Sequence, residues 1–187
     1  MDPLPDKPLL QPENTIEELK NAEFKKNRAL FFFLFFTIGL MNNNTGVVIN
    51  TGAQDLASKF GFKNLMASFQ ICLTVFGGVV RVLNSRYLLK FKHQNKIIWV
   101  VIAWSTGFTI FFFSYMLIGI NDTIGFIMSL TATVIIGSFA SVGDATIIGF
   151  MKAIPAENIA GWSSGTGIAG LTGAGLYLIF STIGMEF

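Results

Sequence analysis

The chain has 187 residues, 52% hydrophobic and only 13% charged, with a formal net charge of +2 and a mean hydropathy of +0.59. A soluble domain of this size carries about a quarter charged residues, so the composition excludes an ordinary water-soluble globule and fits an integral membrane protein. The small net charge does not imply nucleic acid as a partner. The single Cys72 and the single His93 lie in different surroundings and make no disulfide, metal site or nucleophile–base pair. No catalytic constellation is present, so an enzyme is not expected.

Residues 1–28 read as a polar arm. Three prolines in its first eight positions remove backbone donors and resist helix. The acids Asp2, Asp6, Glu13, Glu17, Glu18 and Glu23 separate it from a typical mitochondrial transit peptide, and no short apolar core follows a basic start as in a cleavable signal peptide. Thr15 and Glu18 have the spacing of a capping box, which predicts a short helix from about Ile16 to Arg28. Asp6-Lys7-Pro8-Leu9-Leu10 has the form of an acidic-dileucine sorting signal, a pattern short enough to arise by chance.

An α-helix rises ~1.5 Å per residue, so roughly 20 apolar residues cross a ~30 Å hydrocarbon core. Five runs within residues 29–187 meet that length: Ala29–Ile49, Asn64–Leu83, Ile97–Ile118, Thr123–Met151 and Ile159–Ile183. In the first, Asn42, Asn43, Asn44 and Thr45 either face other helices or water, or mark the end of a shorter span; Asp55 is expected in the loop beyond. Arg81, near the far end of the second run, reads as a side chain snorkelling to the interface in preference to a substrate contact. The phenylalanine clusters, Phe31–Phe33 with Phe35 and Phe36, and Phe111–Phe113, read as lipid-facing or packing bulk. Asn121-Asp122 is a short turn; with Thr123 it forms a glycosylation sequon too close to two spans to expect use. Pro155 breaks the loop from Lys152 to Asn158.

Lysine and arginine settle the expected orientation. With the N-terminus on the positive side, that side receives Lys20, Lys25, Lys26, Arg28, Arg86, Lys90, Lys92, Lys96 and Lys152, and the other only Lys59 and Lys63. The N-terminus is therefore expected inside, and five spans put the C-terminus outside.

The stretch Gly137–Thr182 is where candidate chemistry concentrates. Asp144 is the only acid well inside an apolar run, and an intramembrane acid usually faces protein or a water-filled cavity. Two readings stand beside each other: a proton- or substrate-responsive acid, or a structural acid bonded to Ser141, Trp162 or a neighbouring helix. Small residues recur every fourth position at Thr133, Gly137, Ser141, Ala145 and Gly149, and again at Gly161, Gly165, Ala169 and Gly173, with Gly167 and Gly175 on a neighbouring row. Such spacing lets helix backbones approach closely.

Two blocks resemble the battenin family, lysosomal membrane proteins related to major-facilitator transporters. The first is Gly39-Leu40-Met41-Asn42-Asn43, then Val47-Val48 and Ala53-Gln54-Asp55-Leu56. The second is Trp162-Ser163-Ser164-Gly165-Thr166-Gly167 followed by Ala169-Gly170-Leu171, where Ile168 stands in place of a further family glycine. Gly143-Asp144 is similar to a family Gly-Glu pair with a shorter acid. The resemblance covers about residues 29 to 183 and implies an all-α polytopic fold similar to one half of a major-facilitator protein. Two functions are then expected. One is a structural or accessory subunit of a larger membrane complex, with other membrane subunits and lipids as partners and a respiratory-chain complex of the mitochondrial inner membrane as host. The alternative is a half-size organellar transporter, endolysosomal in setting, completed by a second copy or a partner chain, with Asn42, Asn43, Asp144, Ser163 and Ser164 as its polar pathway. Gly137, Gly149, Gly161, Gly165, Ala169 and Gly173 are expected to pack helices in either case. No cofactor is expected beyond bound lipids.

Overall fold

The computed structural model describes residues 22–87, 90–151 and 156–183. The capping-box pair and the dileucine pattern lie outside them, as does Pro155. In chain order the elements are α1 (Arg28–Lys59), a 3-10 turn (Lys63–Leu65), α2 (Ala67–Arg86), α3 (His93–Met116), α4 (Asp122–Met151) and α5 (Ala156–Thr182). Among the described residues there is no strand. The described end of the arm, 22–26, is helical and closes at Asn27, whose N–H donates to the Glu23 carbonyl at 3.0 Å.

Among the described residues four segments are long and apolar enough to cross a membrane: Arg28–Lys59, Lys63–Arg86, His93–Met116 and Asp122–Met151. The expected fifth span, α5, has 27 residues but is not among them, because glycine, serine and threonine dilute its hydropathy. It nevertheless follows α1 in parallel over most of that helix. Gly161 lies against the Phe32 carbonyl, Gly173 against Val47, and the Tyr177 hydroxyl donates to the Asp55 carboxylate. The first helix is also longer than expected. Asn42–Asn44 sit in its middle and Asp55 in its penultimate turn, so the amides do not end a short span.

The order of packing is α5 on α1, α1 on α4, and both α2 and α3 on α4; α5 barely meets α4. Accordingly 44% of the apolar window of α4 is buried, against 11–22% for the other three candidate spans. Two apolar clusters close the ends of the bundle. At the end where α1 turns into α2, Phe126 of α4 meets Phe60, Phe62 and Phe69 with ring centroids 6.3, 4.8 and 5.7 Å away. At the opposite end, where α1 begins, Phe35 and Met151 are buried with Phe24, Phe31, Ile147 and Trp162 around them. The phenylalanine clusters divide by helix face: Phe35 is buried, whereas Phe33, Phe112 and Phe113 are exposed.

Turn chemistry connects α3 to α4. Gly119 has φ of 75°, a conformation that side chains resist, and its N–H donates to Asp122 Oδ1 at 2.8 Å. Asn121 caps α4, its Oδ1 accepting from the Ile124 N–H at 3.1 Å.

The small-residue rows explain the close pairs. On α5 they form a single seam. A Cβ at Gly165 would collide with the Phe36 carbonyl oxygen, and one at Gly161 would stand 2.5 Å from the Phe32 carbonyl oxygen; Ala169 between them and Gly173 is fully buried. The row on α4 behaves differently. Gly137 abuts the Leu73 backbone of α2, whereas Gly149 faces His93 of α3. The difference lies in the neighbours: α4 is packed on several sides, so its row meets two helices, whereas α5 packs on α1 almost alone. Position 167 offers a control, because nothing lies within 4 Å of a Cβ there. Gly165→Ala should destabilise the purified protein by about 1–3 kcal/mol through overpacking, measured by denaturant titration in detergent. Gly167→Ala should be neutral, or stabilising by up to about 1 kcal/mol through helix propensity.

Candidate functional site

Between the two apolar clusters lies a polar layer. Asp144 of α4 is the focus. Its Oδ1 accepts from Asn42 Nδ2 of α1 at 2.6 Å, and its Oδ2 is 3.4 Å from the Arg81 guanidinium of α2. Asn42 Nδ2 also reaches the Ala140 carbonyl at 3.4 Å. Three helices therefore converge on one carboxylate. Asn42 can reach it because the preceding residue of α4 is glycine: a Cβ at Gly143 would stand 2.7 Å from Asn42 Oδ1.

The partners differ in environment. The Asp144 side chain is 18% exposed and that of Arg81 is 59% exposed, while Asn42 is buried at 6%. Exposed ion pairs contribute roughly 0–1 kcal/mol, whereas a hydrogen bond to a charged group contributes about 1.5–3 kcal/mol. The 2.6 Å amide contact, not the ion pair, thus holds the carboxylate in place. Arg81 neutralises the charge and keeps donors to spare, since a guanidinium carries five N–H groups in a fixed fork.

The neighbouring amides do other work. Asn43 Nδ2 donates to Thr166 Oγ1 of α5 and to its own Gly39 carbonyl, both at 3.2 Å. Asn44 Oδ1 accepts from Thr172 Oγ1 at 3.3 Å. Successive residues on a helix turn by about 100°, so the amide run splits, with Asn42 directed at the acid and Asn43 and Asn44 bonded into the α1–α5 seam. Ser163 and Ser164 are exposed on α5, and the thin contact between α5 and α4 leaves them away from Asp144. Asp144 bonds to neighbouring helices through Asn42 and Arg81; Ser141 instead points its hydroxyl toward Gly77, and the buried Trp162 indole N–H has no hydrogen-bond partner.

Arg81 is the residue the sequence reading undervalued. It and Asp144 are opposite charges set within apolar runs, and that coincidence was the available signal for pairing. Nothing in the sequence marked Asn44 with Thr172, or Tyr177 with Asp55. Among the described residues no group of three His, Cys, Asp or Glu side chains could hold a metal ion. A groove of about 460 Å³ opens between α1 and α5, lined by Leu40, Met41, Asn44, Thr172, Leu176 and Ile179. It is largely apolar and does not include the charged cluster.

An all-α bundle with several helices long and apolar enough to span a membrane defines a polytopic membrane protein, and the carboxylate–guanidinium pair between its helices is its candidate site. The family model described as CLN3 protein matches residues 33–187, a stretch that includes Asn42, Arg81 and Asp144. The chain belongs to that family, the battenins, and its setting is an organellar membrane. No curated protein and no solved structure gives a significant match.

Double-mutant cycles should rank the two contacts at Asp144. Unfolding in mixed micelles of the Asn42→Ala, Asp144→Ala and double variants should give a coupling of about 1–2 kcal/mol, and the corresponding Arg81→Ala cycle less than about 1 kcal/mol. Equal couplings would contradict the assignment of Asn42 as the main support.

Proposed function

We propose that the chain supplies one wall of a solute pathway, with Asp144, Arg81 and Asn42 lining its inner half, completed by a second copy or a partner chain. One observation carries this reading. Arg81 is 59% exposed on α2, on a helix whose other exposed residues include Val79, Val82 and Leu83. A cation facing hydrocarbon costs about 2.5–3.5 kcal/mol or more. The face that carries Arg81 is therefore better served by water in a cavity, or by protein, than by lipid.

The chemistry available there is an exchange of partners. With Asp144 ionised, Arg81 is neutralised inside the protein. A proton on Asp144 removes that charge and leaves the guanidinium to an anionic group of a solute, while Asn42 keeps the carboxyl in place from the buried side. Asn43 and Asn44 are assigned to helix packing, and Ser163 and Ser164 to the outer surface of α5.

An endolysosomal membrane is the favoured organelle, supported by the family membership and by the Asp6–Leu10 pattern. An accessory role in a respiratory-chain complex of the mitochondrial inner membrane has no residue of the described structure in its support.

Thiol accessibility tests the pathway without knowledge of the solute, because a maleimide reacts with the thiolate, which forms only where water reaches. In a Cys72→Ser background reconstituted in vesicles, Arg81→Cys and Asp144→Cys should react with a charged, membrane-impermeant maleimide. Val79→Cys, on the same helix, should react at least about tenfold more slowly. Failure of both 81 and 144 to label ahead of 79 would refute the proposal.

A further inference from the structure

We infer that the rim around the start of α3 is a docking surface for the phosphate head groups of anionic phospholipids in the adjoining leaflet. Residues 84–96 contain Arg86, Lys90, Lys92, His93 and Lys96 and no acid. Arg86, Lys90, Lys92 and His93 are all exposed. The ion pair described for the chain, Arg81 with Asp144, uses none of them. The helix they introduce adds charge of the same sign. Lys92 caps α3 without a side-chain hydrogen bond, and the first turn carries no acid, so the helix itself does nothing to offset the positive end of its dipole. In that same turn Lys96 is only 3% exposed, an ammonium buried without an acid paired to it among the described residues.

Aromatic side chains set the depth of this rim. Tyr87 is 66% exposed and Phe91 45% exposed, and Phe91 meets Trp99 edge-on at 5.0 Å. Tyrosine and tryptophan settle at the head-group level of a bilayer. With Tyr87 and Trp99 there, and Phe91 packed on Trp99, Lys90 and Lys92 on either side of Phe91 stand at the level of the lipid phosphates. Complementary charge at fixed depth is the reason for choosing a lipid as the occupant over a soluble acidic protein. Each lysine or arginine near such a surface strengthens attachment about fivefold.

The test is lipid retention by the purified, full-length protein, read by native mass spectrometry after exchange into detergent with equal amounts of phosphatidylserine and phosphatidylcholine. The wild-type chain should retain phosphatidylserine preferentially. The Lys90→Gln/Lys92→Gln variant should lose that preference by about tenfold or more, with its phosphatidylcholine retention and helical circular dichroism unchanged. Lys90→Arg/Lys92→Arg should keep it, and Lys63→Gln, at the opposite end of the bundle, should leave it intact. Equal retention of the two lipids by the wild-type chain would overturn the inference and turn the rim toward an acidic protein partner. So would a glutamine variant with undiminished preference, or an equal loss in Lys63→Gln.

Discussion

A carboxylate inside an apolar bundle has to be solvated by the protein, and the arrangement around Asp144 is organised by that requirement. Asn42 supplies the short hydrogen bond, Arg81 the countercharge, and Gly143 the space through which α1 comes close enough. This places α1 and α2 on α4 at one level of the bundle. The aromatic cluster at Phe126 and the cluster at Phe35 and Met151 lie toward the two ends of the bundle, on either side of the polar layer. Because the carboxylate is held from its buried side by an uncharged amide, the cation on its open side is left as the adjustable partner.

The second constraint is backbone proximity. Helices in lipid gain little from hydrophobic burial and associate through close packing and interhelical hydrogen bonds. The α1–α5 pair uses both: Gly161, Gly165 and Gly173 admit the α1 backbone and side chains, and Asn43–Thr166 and Asn44–Thr172 add polar links along the same seam. It is this pairing, more than hydropathy, that keeps the glycine-rich α5 with the bundle. On α4 the same residue spacing serves two neighbours, since α2 and α3 both pack on that helix whereas α5 has α1 almost alone.

Much of the architecture was legible in the chain. The number and order of the long helices follow from runs of apolar residues, and family membership follows from the blocks at Gly39–Asn43 and Trp162–Gly167. The candidate site was legible in part. Asp144 stood out as an acid in an apolar run, and Asn42 as an amide in another. Their meeting was not visible, because 102 residues separate them and a helix face cannot name its partner. Arg81 was read as a snorkelling side chain because it lies close to a helix end, where snorkelling is the usual solution; only the position of α2 on α4 turns its guanidinium to Asp144.

Local properties therefore sufficed for the existence and order of the long helices and for the presence of a small-residue row, but not for the full length of α1, which runs on to Lys59. Packing decided the remainder. The 100° turn between successive residues divided Asn42 from Asn43 and Asn44. The packing of both α2 and α3 on α4 divided Gly137 from Gly149, and the thin contact between α4 and α5 left Ser163 and Ser164 outside the polar layer. Each of these outcomes rests on which helices touch and on which face, a property of the assembled bundle that no single segment encodes.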